Sequence, residues 1–300
     1  MTDVDGVLVV DKPPGMTSHD VVARVRRAAG QRRVGHAGTL DPDATGVLVV
    51  CLGRATRLVP YVQASTKTYE ARVRLGVSTT TLDASGAVVA QRDASGVDER
   101  ALCETLQGFV GTIAQVPPMV SAVKVDGERL YARARRGEEV ARPARTVTIA
   151  HLVLEDFEPG PRAEATLLVG CSAGTYVRTL AADVGDRLGV GAHLVTLRRL
   201  ASGRFSLDGA CPLEEVEALG ARGELQSALL APAEAVADYP TVTVDDAGAR
   251  ALGVGRPLPP TGHRGPVAAV DAGGRLVAMV EDRDSAARPL AVLAPFEPHG

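Results

Sequence analysis

Residues 35–42 (GHAGTLDP) place the carboxylate of Asp41 in a glycine-rich loop between two regular elements. A carboxylate in such a loop can act as a nucleophile or as a general acid or base. Loops on a rigid scaffold often carry reacting groups, and Gly35 and Gly38 permit backbone conformations that a side chain forbids. A solvated turn aspartate before Pro42 explains the spacing equally well. The rest of the sequence has to decide between these two interpretations.

Residues 41–45 (DPDAT) also have the D-x-D-x-T pattern of phosphatases that form an aspartyl-phosphate. In that chemistry a bulky apolar strand precedes the first aspartate, whereas residues 35–40 read GHAGTL, and no helper acids for Mg²⁺ are evident downstream. The chain has no G-x-S-x-G motif, which a serine hydrolase of the nucleophile-elbow type would need. It also has no second carboxylate in a context comparable to that of Asp41, which a glycosidase would need. These reactions are therefore disfavoured.

The elements that must position Asp41 can be predicted from the apolar pattern. Strands are predicted at residues 6–12, 46–52, 67–75, 112–116, 120–125, 146–154, 165–171 and 193–200. Helices are predicted after a cap at Ser18, with Gly30 as the stop, after a cap at Asp98, from residue 174 to about 189, and at 213–219. Strict alternation in residues 67–75 turns Tyr69 inward or into a cleft.

This order of strands and helices predicts an α+β fold rather than a regular βαβ winding. The acidic helix at 213–219 and the region of Pro232 separate the main body from a β-rich tail with one short helix. Strands are predicted in the tail at 267–270, 276–280 and 290–293. We therefore predict a domain at residues 1–237 and a small domain at 238–300.

Size and composition indicate a soluble protein with at least one sizeable core: the chain has 300 residues, 45% of them hydrophobic. No apolar run approaches the roughly 18 residues that a membrane span needs, and the N-terminus lacks a basic signal region. We expect a cytoplasmic protein. The cysteines lie far apart in or beside apolar runs, which predicts buried free thiols and no visible metal site: Cys51, Cys103, Cys171 and Cys211.

Charge is unevenly distributed along a chain whose formal net charge is -3. Arginines gather at residues 24–33 and 129–145, and such clusters are usually solvated faces. Two clusters in a mildly acidic chain nevertheless predict a local site for a polyanion. Only three of the 33 basic residues are lysines, and each lies in a distinctive motif, so these positions are candidates for needing an ammonium group: Lys12, Lys67 and Lys124.

Five motifs occur in order: DKPPGMTS at 11–18, GHAGTLDP at 35–42, KTYEA at 67–71, PPMVSAVK at 117–124 and GTYVRTL at 174–180. Together they resemble the TruB family of pseudouridine synthases, the bacterial enzymes that modify uridine-55 of tRNA, over about residues 6–235. The resemblance implies a central mixed, largely antiparallel sheet flanked by helices. It also implies that the small C-terminal domain is a PUA-like RNA-binding module.

The resemblance further implies that a uridine in the T-loop of tRNA is isomerised, its glycosidic bond broken at N1 and remade at C5. No cofactor or metal is expected, the partner is the T-arm stem-loop, and we expect a monomer. By position Asp41 is the nucleophile and Arg178 its partner. A guanidinium keeps a nearby carboxylate ionised, as nucleophilic attack requires.

The remaining site residues also follow from position in the family motifs. A base inside folded RNA must be flipped out and gripped, for which Tyr69 and Tyr176 supply ring faces. His36 and Leu197 are expected to contact the nucleotide, and Lys12 belongs to the first motif. Arg135 and Arg136, in an insertion at about 126–145, are expected to contact the RNA backbone, which positions RNA without reading it.

Several alternatives stay open at this point. Asp41 could attack the ribose C1′ or the base C6, or assist a glycal route, and the group that removes the C5 proton is undetermined, with Tyr69 a candidate by proximity. The chain could instead be a T-arm-binding RNA-folding factor. It could also be a guide-RNA-dependent synthase, although the long basic extensions expected there are missing.

Overall fold

The computed structural model describes residues 4–119, 136, 138 and 140–294, and the backbone of residues 124–125 and 128–129. The chain divides into two compact units. The first comprises the described residues of Met1–Pro42, Gly46–Ala64 and Gly203–Gly300, and the second those of Asp43–Thr45 and Ser65–Ser202. The chain therefore leaves the first unit directly after the Asp41-Pro42 step.

The strands are β1 (Gly6–Lys12), β2 (Val34–Ala37), β3 (Thr45–Leu52), β4 (Lys67–Leu75), β5 (Val77–Thr79), β6 (Val88–Gln91), β7 (Gly111–Gln115), β8 (Lys124–Val125), β9 (Glu128–Arg129), β10 (Arg145–Glu158), β11 (Glu164–Cys171), β12 (Ala192–Ser202), β13 (Phe205–Ser206), β14 (Cys211–Pro212), β15 (Thr241–Thr243), β16 (Pro266–Val270), β17 (Leu276–Arg283) and β18 (Ala286–Val292). The α-helices among the described residues are α1 (Ser18–Ala29), α2 (Val59–Gln63), α3 (Glu99–Gln107), α4 (Val177–Arg187), α5 (Leu213–Arg222) and α6 (Asp246–Gly253). Short 3₁₀ helices occur at Gly53–Leu58, Leu207–Gly209, Leu225–Ala228 and Pro232–Val236.

In the first unit β1 lies between β3, which is antiparallel to it, and β14, which is parallel, while β2 pairs antiparallel with β3. Both faces of β1 are covered, which explains its continuous apolar run. Leu8 and Val10 pack into a cluster with apolar side chains of α1 and α5. Val7 and Val9 belong to a cluster on the other face that includes Met279 of β17.

The C-terminal part of the first unit is a four-stranded sheet in the order β15, β16, β17, β18, parallel at the first pair and antiparallel at the others. It has its own apolar cluster, which joins Leu252 of α6 to Val267 and Val280. The prediction of a small β-rich module with one short helix is confirmed.

The second unit contains an antiparallel sheet in the order β12, β4, β11, β10, β7, and α4 packs on β12. The predicted alternation in β4 is confirmed, because Tyr69 and Ala71 are buried while Glu70 is exposed. The α+β prediction, with a large and mostly antiparallel sheet flanked by helices, is confirmed as well.

Some local predictions differ from the structure. The cap of α1 is Thr17 rather than Ser18, because Thr17 and Asp20 form a capping box in which each side chain accepts from the other's backbone amide. Strand β2 and the β5–β6 hairpin were not predicted, since both are short and lack a clear apolar alternation. Of the predicted strand at 120–125, residues 120–123 lie outside the described part of the chain.

Candidate active site

The loop that carries Asp41 connects β2 to β3 and is held on both sides of the carboxylate. On the N-terminal side, the Leu40 amide donates to Ser18 Oγ (2.9 Å), and that hydroxyl donates to the Leu40 carbonyl (3.1 Å). On the C-terminal side, the Pro42 carbonyl accepts from Lys12 Nζ (2.8 Å) and from the Gly15 amide (3.0 Å). Asp41 is thus a half-buried carboxylate with an anchored backbone, as a positioned reacting group requires.

Two further features shape this loop. Gly38 has a φ of 94°, in the left-handed region that favours glycine, so the expected conformational role of this residue is confirmed. Gly35 lies in β2 and does not have this role. His36, also in β2, is half-buried, and its ring stands edge-on to that of His19 with 5.2 Å between the ring centroids.

Lys12 is fully buried, and its ammonium also donates to the Pro13 carbonyl (3.0 Å). Lys12→Met should lower the free energy of unfolding by about 1–3 kcal/mol, because the carbonyls of Pro13 and Pro42 each lose a charged donor. It should also speed amide hydrogen exchange of residues 38–41, whose anchor is removed. Denaturant unfolding and exchange measurements test this, with Arg100→Met, a change at an exposed helix residue, as the control. An unchanged unfolding midpoint and unchanged exchange in Lys12→Met would contradict the anchoring role.

A second lysine, Lys67, is also buried, at the start of β4, and donates to the carbonyl (2.6 Å) and hydroxyl (3.1 Å) of Ser65. Burial, with the nearby charge of Arg199, lowers the pKa of Lys67 to about 8. Lys12 and Lys67 therefore both donate from a compact ammonium group to carbonyl oxygens in a confined space. The planar guanidinium of an arginine is broader and would not match this arrangement. The side chain of Lys124 lies outside the described part of the chain.

Tyr69 and Leu197 lie on adjacent strands of the second unit. Tyr69 is 8% exposed and pairs in register with Val169 of β11 and Arg199 of β12. Leu197 pairs with Ala71 and is half-buried, and β12 has an irregularity in its register on each side of it. Such irregularities redirect side chains, so Leu197 is not an ordinary core residue of a regular strand.

Tyr176 is the residue before the first turn of α4, and its backbone is held from both sides by one side chain. Its amide donates to Gln115 Oε1 (2.7 Å), and Gln115 Nε2 donates to its carbonyl (3.1 Å). Gln115 is 2% exposed, at the end of β7. The amide group therefore acts as a substitute peptide partner and fixes the point from which the half-buried Tyr176 side chain extends.

Arg178, in the first turn of α4, is 4% exposed and forms an ion pair with Asp83. Its Nη1 donates to Asp83 Oδ2 (3.2 Å) and to the Thr81 carbonyl (3.3 Å). Asp83 Oδ1 accepts from the hydroxyls of Thr81 and Ser85 (2.6 Å each) and from the Ser85 amide (3.0 Å). Burial raises the pKa of Asp83, but hydrogen bonds from Ser85 and Thr81 and the charge of Arg178 outweigh it, and the pKa lies below its usual value.

Asp83 and Gln115 were not singled out from the sequence. The run Thr79-Thr80-Thr81-Leu82-Asp83-Ala84-Ser85 indicates a turn, since aspartate often accepts from an amide two residues on. Nothing in it identifies Arg178 as a partner. The backbone of Leu82 is unusual, with a φ of 64°, and its carbonyl accepts from the Leu194 amide of β12 (3.0 Å). This turn therefore connects the Asp83 carboxylate to the strand that carries Leu197.

The predicted site residues fall in both units. The first unit contains Lys12, His36 and Asp41. The second unit contains Tyr69, Tyr176, Arg178 and Leu197. The expected pairing of Arg178 with Asp41 stays a prediction. Arg136 is half-exposed and bonds to Glu138 through Nε (2.7 Å), and Arg135 lies outside the described residues.

Other features bear on what the site could hold. Within the described part of the chain, no three His, Cys, Asp or Glu side chains come together as metal ligands. All four cysteines are free; Cys51 and Cys171 are buried, and Cys103 and Cys211 are half-buried. No helix among the described residues is both long and apolar enough to cross a membrane.

Comparison with known families matches nearly the whole chain. Residues 26–177 match the family described as "TruB family pseudouridylate synthase (N terminal domain)". Residues 178–237 match "tRNA pseudouridylate synthase B C-terminal domain", and residues 239–294 match "tRNA Pseudouridine synthase II, C terminal".

Individual proteins give the same result. The chain is 47% identical to the tRNA pseudouridine synthase B of Thermobifida fusca over 97% of its own length and 99% of that protein. It is 56% identical to the tRNA pseudouridine synthase B of Symbiobacterium thermophilum, covering 84% and 82% of the two chains. Among solved structures it is similar to a chain in a crystal structure of a Cbf5-Nop10-Gar1 complex, with a TM-score of 0.75, 28% identity and coverage of 97% and 85%.

Proposed function

Because the chain belongs to the TruB family of pseudouridylate synthases, we propose that it converts uridine-55 in the T-loop of tRNA to pseudouridine with Asp41 as the nucleophile. The observation that carries this proposal is the Asp41 loop, in which Ser18 and Lys12 hold the residues on either side of the carboxylate. A nucleophile that is positioned before substrate arrives does not have to be ordered during the reaction.

The reaction is an isomerisation, so no group is gained or lost overall. The bond from C1′ to N1 breaks, a bond from C1′ to C5 forms, and the proton on C5 leaves for solvent while N1 gains one. Asp41 either attacks C1′ or C6 or assists a glycal route. Its carboxylate must be ionised, and we assign that task to the guanidinium of Arg178. The hydrogen bond that Arg178 Nη1 donates to Asp83 Oδ2 orients the guanidinium, which supports this assignment.

The target base must leave the folded RNA, and we assign its binding to four side chains: His36, Tyr69, Tyr176 and Leu197. The half-buried state of Tyr176 and Leu197 supports contact with a ligand, since a core residue would be fully enclosed. Tyr69, the more buried aromatic, presents its ring from a strand with fixed register. Rigid positioning of this kind favours one orientation of the base.

We also assign the remaining regions. Residues 1–237 form the catalytic domain, with an RNA-contacting insertion at about 126–145, and residues 238–300 form a PUA-like RNA-binding domain. The protein acts as a cytoplasmic monomer that binds the T-arm and needs neither cofactor nor metal.

Arg135 and Arg136 are assigned to the RNA backbone. Changing both to glutamine should weaken T-arm binding. It should also make the fall of the log association constant with log salt concentration shallower by about one to two, since each lost phosphate contact removes about 0.9 from the slope. The pair between Arg136 and Glu138 is half-exposed and adds little to stability, so folding should be unaffected. Binding measured at several salt concentrations tests this, and an unchanged slope would rule out the assignment.

Tritium release from C5-labelled uridine tests the proposed function, because pseudouridine has the mass of uridine. A T-arm hairpin labelled at its uridines should release one tritium per RNA, and the same hairpin with cytidine at position 55 should release none. Failure of the wild-type protein to release tritium from the first hairpin would contradict the proposal. Release from both hairpins would contradict the specificity for uridine-55.

The second candidate is a guide-RNA-dependent synthase, which acts with partners. It is favoured by the likeness to a chain that occurs in a complex with two other proteins, the Cbf5-Nop10-Gar1 complex. The higher identity to proteins named tRNA pseudouridine synthase B favours action without partners. Incubating the purified chain alone with unmodified tRNA separates the two candidates. A requirement for added RNA or protein would support the second.

A further inference from the structure

Exposed arginines surround the start of β2 in the first unit. They come from the end of α1, the residues before β2 and the 3₁₀ turn after β3: Arg26, Arg27, Arg32, Arg33 and Arg57. We call this group the β2 arginine surface. It includes most of the arginines at residues 24–33. None of these arginines is among the site residues assigned above, so their binding partner is still to be identified.

Hydrogen bonds to neutral oxygens hold several members of this surface in place. Arg26 Nη2 donates to the Val34 carbonyl (2.8 Å), and Arg33 Nε donates to Thr56 Oγ1 (3.0 Å). The Arg33 carbonyl in turn accepts from the Gly53 amide (2.7 Å). Because the acceptors carry no charge, the guanidinium groups are positioned without being neutralised. These bonds also connect the end of α1, the start of β2 and the turn after β3.

Within the described part of the chain, no carboxylate forms an ion pair with any of the five arginines. Arginines elsewhere are commonly paired, as in Arg24 with Glu217, Arg100 with Glu104, Arg222 with Glu224 and Arg275 with Asp271. Two acids near this surface are already engaged: Asp5 accepts from the Arg54 amide, and Glu217 binds Arg24, although its charge also acts on Arg27. A positive field therefore persists here in a chain with a net charge of -3.

The position of this surface relates it to Asp41 within the same unit. Strand β2 begins beside Arg33 and runs for four residues to Ala37, from which the chain enters the Asp41 loop. At about 3.3 Å per residue, the four residues of the strand separate Arg33 from the start of the Asp41 loop by roughly 13 Å. A ligand that reaches from the loop along β2 would meet the arginines.

We propose that the β2 arginine surface binds backbone phosphates of the RNA whose uridine is modified, an inference that rests on the proposed function. Phosphate is the group that fits: guanidinium forks bind its oxygens in pairs, and Arg33, whose guanidinium already donates to Thr56, loses little entropy when it does so. Arg27, Arg32 and Arg33 supply the contacts, while the guanidinium of Arg26 is engaged by the Val34 carbonyl and that of Arg57 by the Val292 carbonyl of β18. The surface thereby orients the stem relative to Asp41 without reading its sequence.

The test measures binding itself, so its result does not depend on catalysis. For a T-arm hairpin, the logarithm of the association constant falls as the logarithm of the salt concentration rises. The triple variant Arg27→Gln, Arg32→Gln, Arg33→Gln should make this slope shallower by about two to three. The control is Arg72→Gln, Arg100→Gln, Arg222→Gln, which removes the same charge from exposed arginines that are paired with acids. The control should keep the wild-type slope.

A triple variant whose slope equals that of the wild type or of the control overturns the proposal. If the triple variant does not fold, the three single variants are measured, and each should lower the slope by about 0.9. Tritium release by the wild-type protein is recorded in parallel. A lowered slope without wild-type release supports this surface and contradicts the proposed function, so the two failures are distinguishable.

Discussion

Asp41→Asn should reduce tritium release from a T-arm hairpin by about 10⁴-fold or more, the scale on which removing a nucleophile acts. Asparagine has the same shape but cannot form the covalent bond that a carboxylate forms. The loop should keep its conformation, because Ser18 and Lys12 contact the backbone of Leu40 and Pro42. The measurement is the single-turnover rate of release at saturating enzyme, together with hairpin binding.

Asp43→Asn is the matched control for this variant. Asp43 is an exposed carboxylate two residues from Asp41, and it is the residue that completes the phosphatase-like pattern. It should release tritium at the wild-type rate. Release by Asp41→Asn at the wild-type rate would contradict the assignment of the nucleophile. Retained hairpin binding without release would show that binding and catalysis are separable, as a protein that also folds tRNA would require.

Asp83→Asn should slow tritium release by about 10- to 100-fold, because the guanidinium of Arg178 loses the charge of Asp83 that orients it, and a small displacement of a catalytic group has costs of that size. Arg178 is almost fully buried, so its orientation depends on the groups that bind it. Asparagine still accepts hydrogen bonds but no longer balances the charge. Single-turnover rates at saturating enzyme measure the effect. The control is Asp93→Asn, because Asp93 is an exposed acid whose carboxylate accepts from the Ser95 amide.

The same variant has a predicted pH signature in stability. The pKa of Asp83 is lower in the folded chain than its usual value of 3.8, so ionised Asp83 stabilises the fold above pH 3.8. That contribution is lost as pH falls below 3.8 through the lowered folded pKa. The difference in unfolding free energy between wild type and Asp83→Asn should therefore be full at neutral pH and shrink below pH 3.8. A wild-type rate in Asp83→Asn, or a pH-independent difference, would contradict the role of this ion pair.

Elements with local signals were predicted correctly from the sequence. The alternation of β4, the cap of α3 at Asp98 and the end of α1 at Gly30, which has a φ of 61°, depend on neighbouring residues alone. Each has a physical cause that acts within a few residues: side-chain period, capping hydrogen bonds and left-handed backbone. The motif around Asp41 was recognisable for its composition and for the four other motifs in order.

The features that hold the site were not predictable in this way. Strand β2 reads Val34-Gly35-His36-Ala37, too short and too weak in β propensity to be seen, and it exists because β3 offers a partner. Ser18 was interpreted as a helix cap, whereas it contacts Leu40, 22 residues on. Asp83 meets Arg178 across 95 residues. No local pattern encodes such distances.

The most direct test of the account maps pseudouridine at single-nucleotide resolution in unmodified tRNA treated with the purified chain alone. We expect modification at uridine-55 and at no other uridine, without added RNA, protein, cofactor or metal, and none with Asp41→Asn. Modification at other positions, a requirement for a guide RNA, or unchanged modification by Asp41→Asn would contradict it.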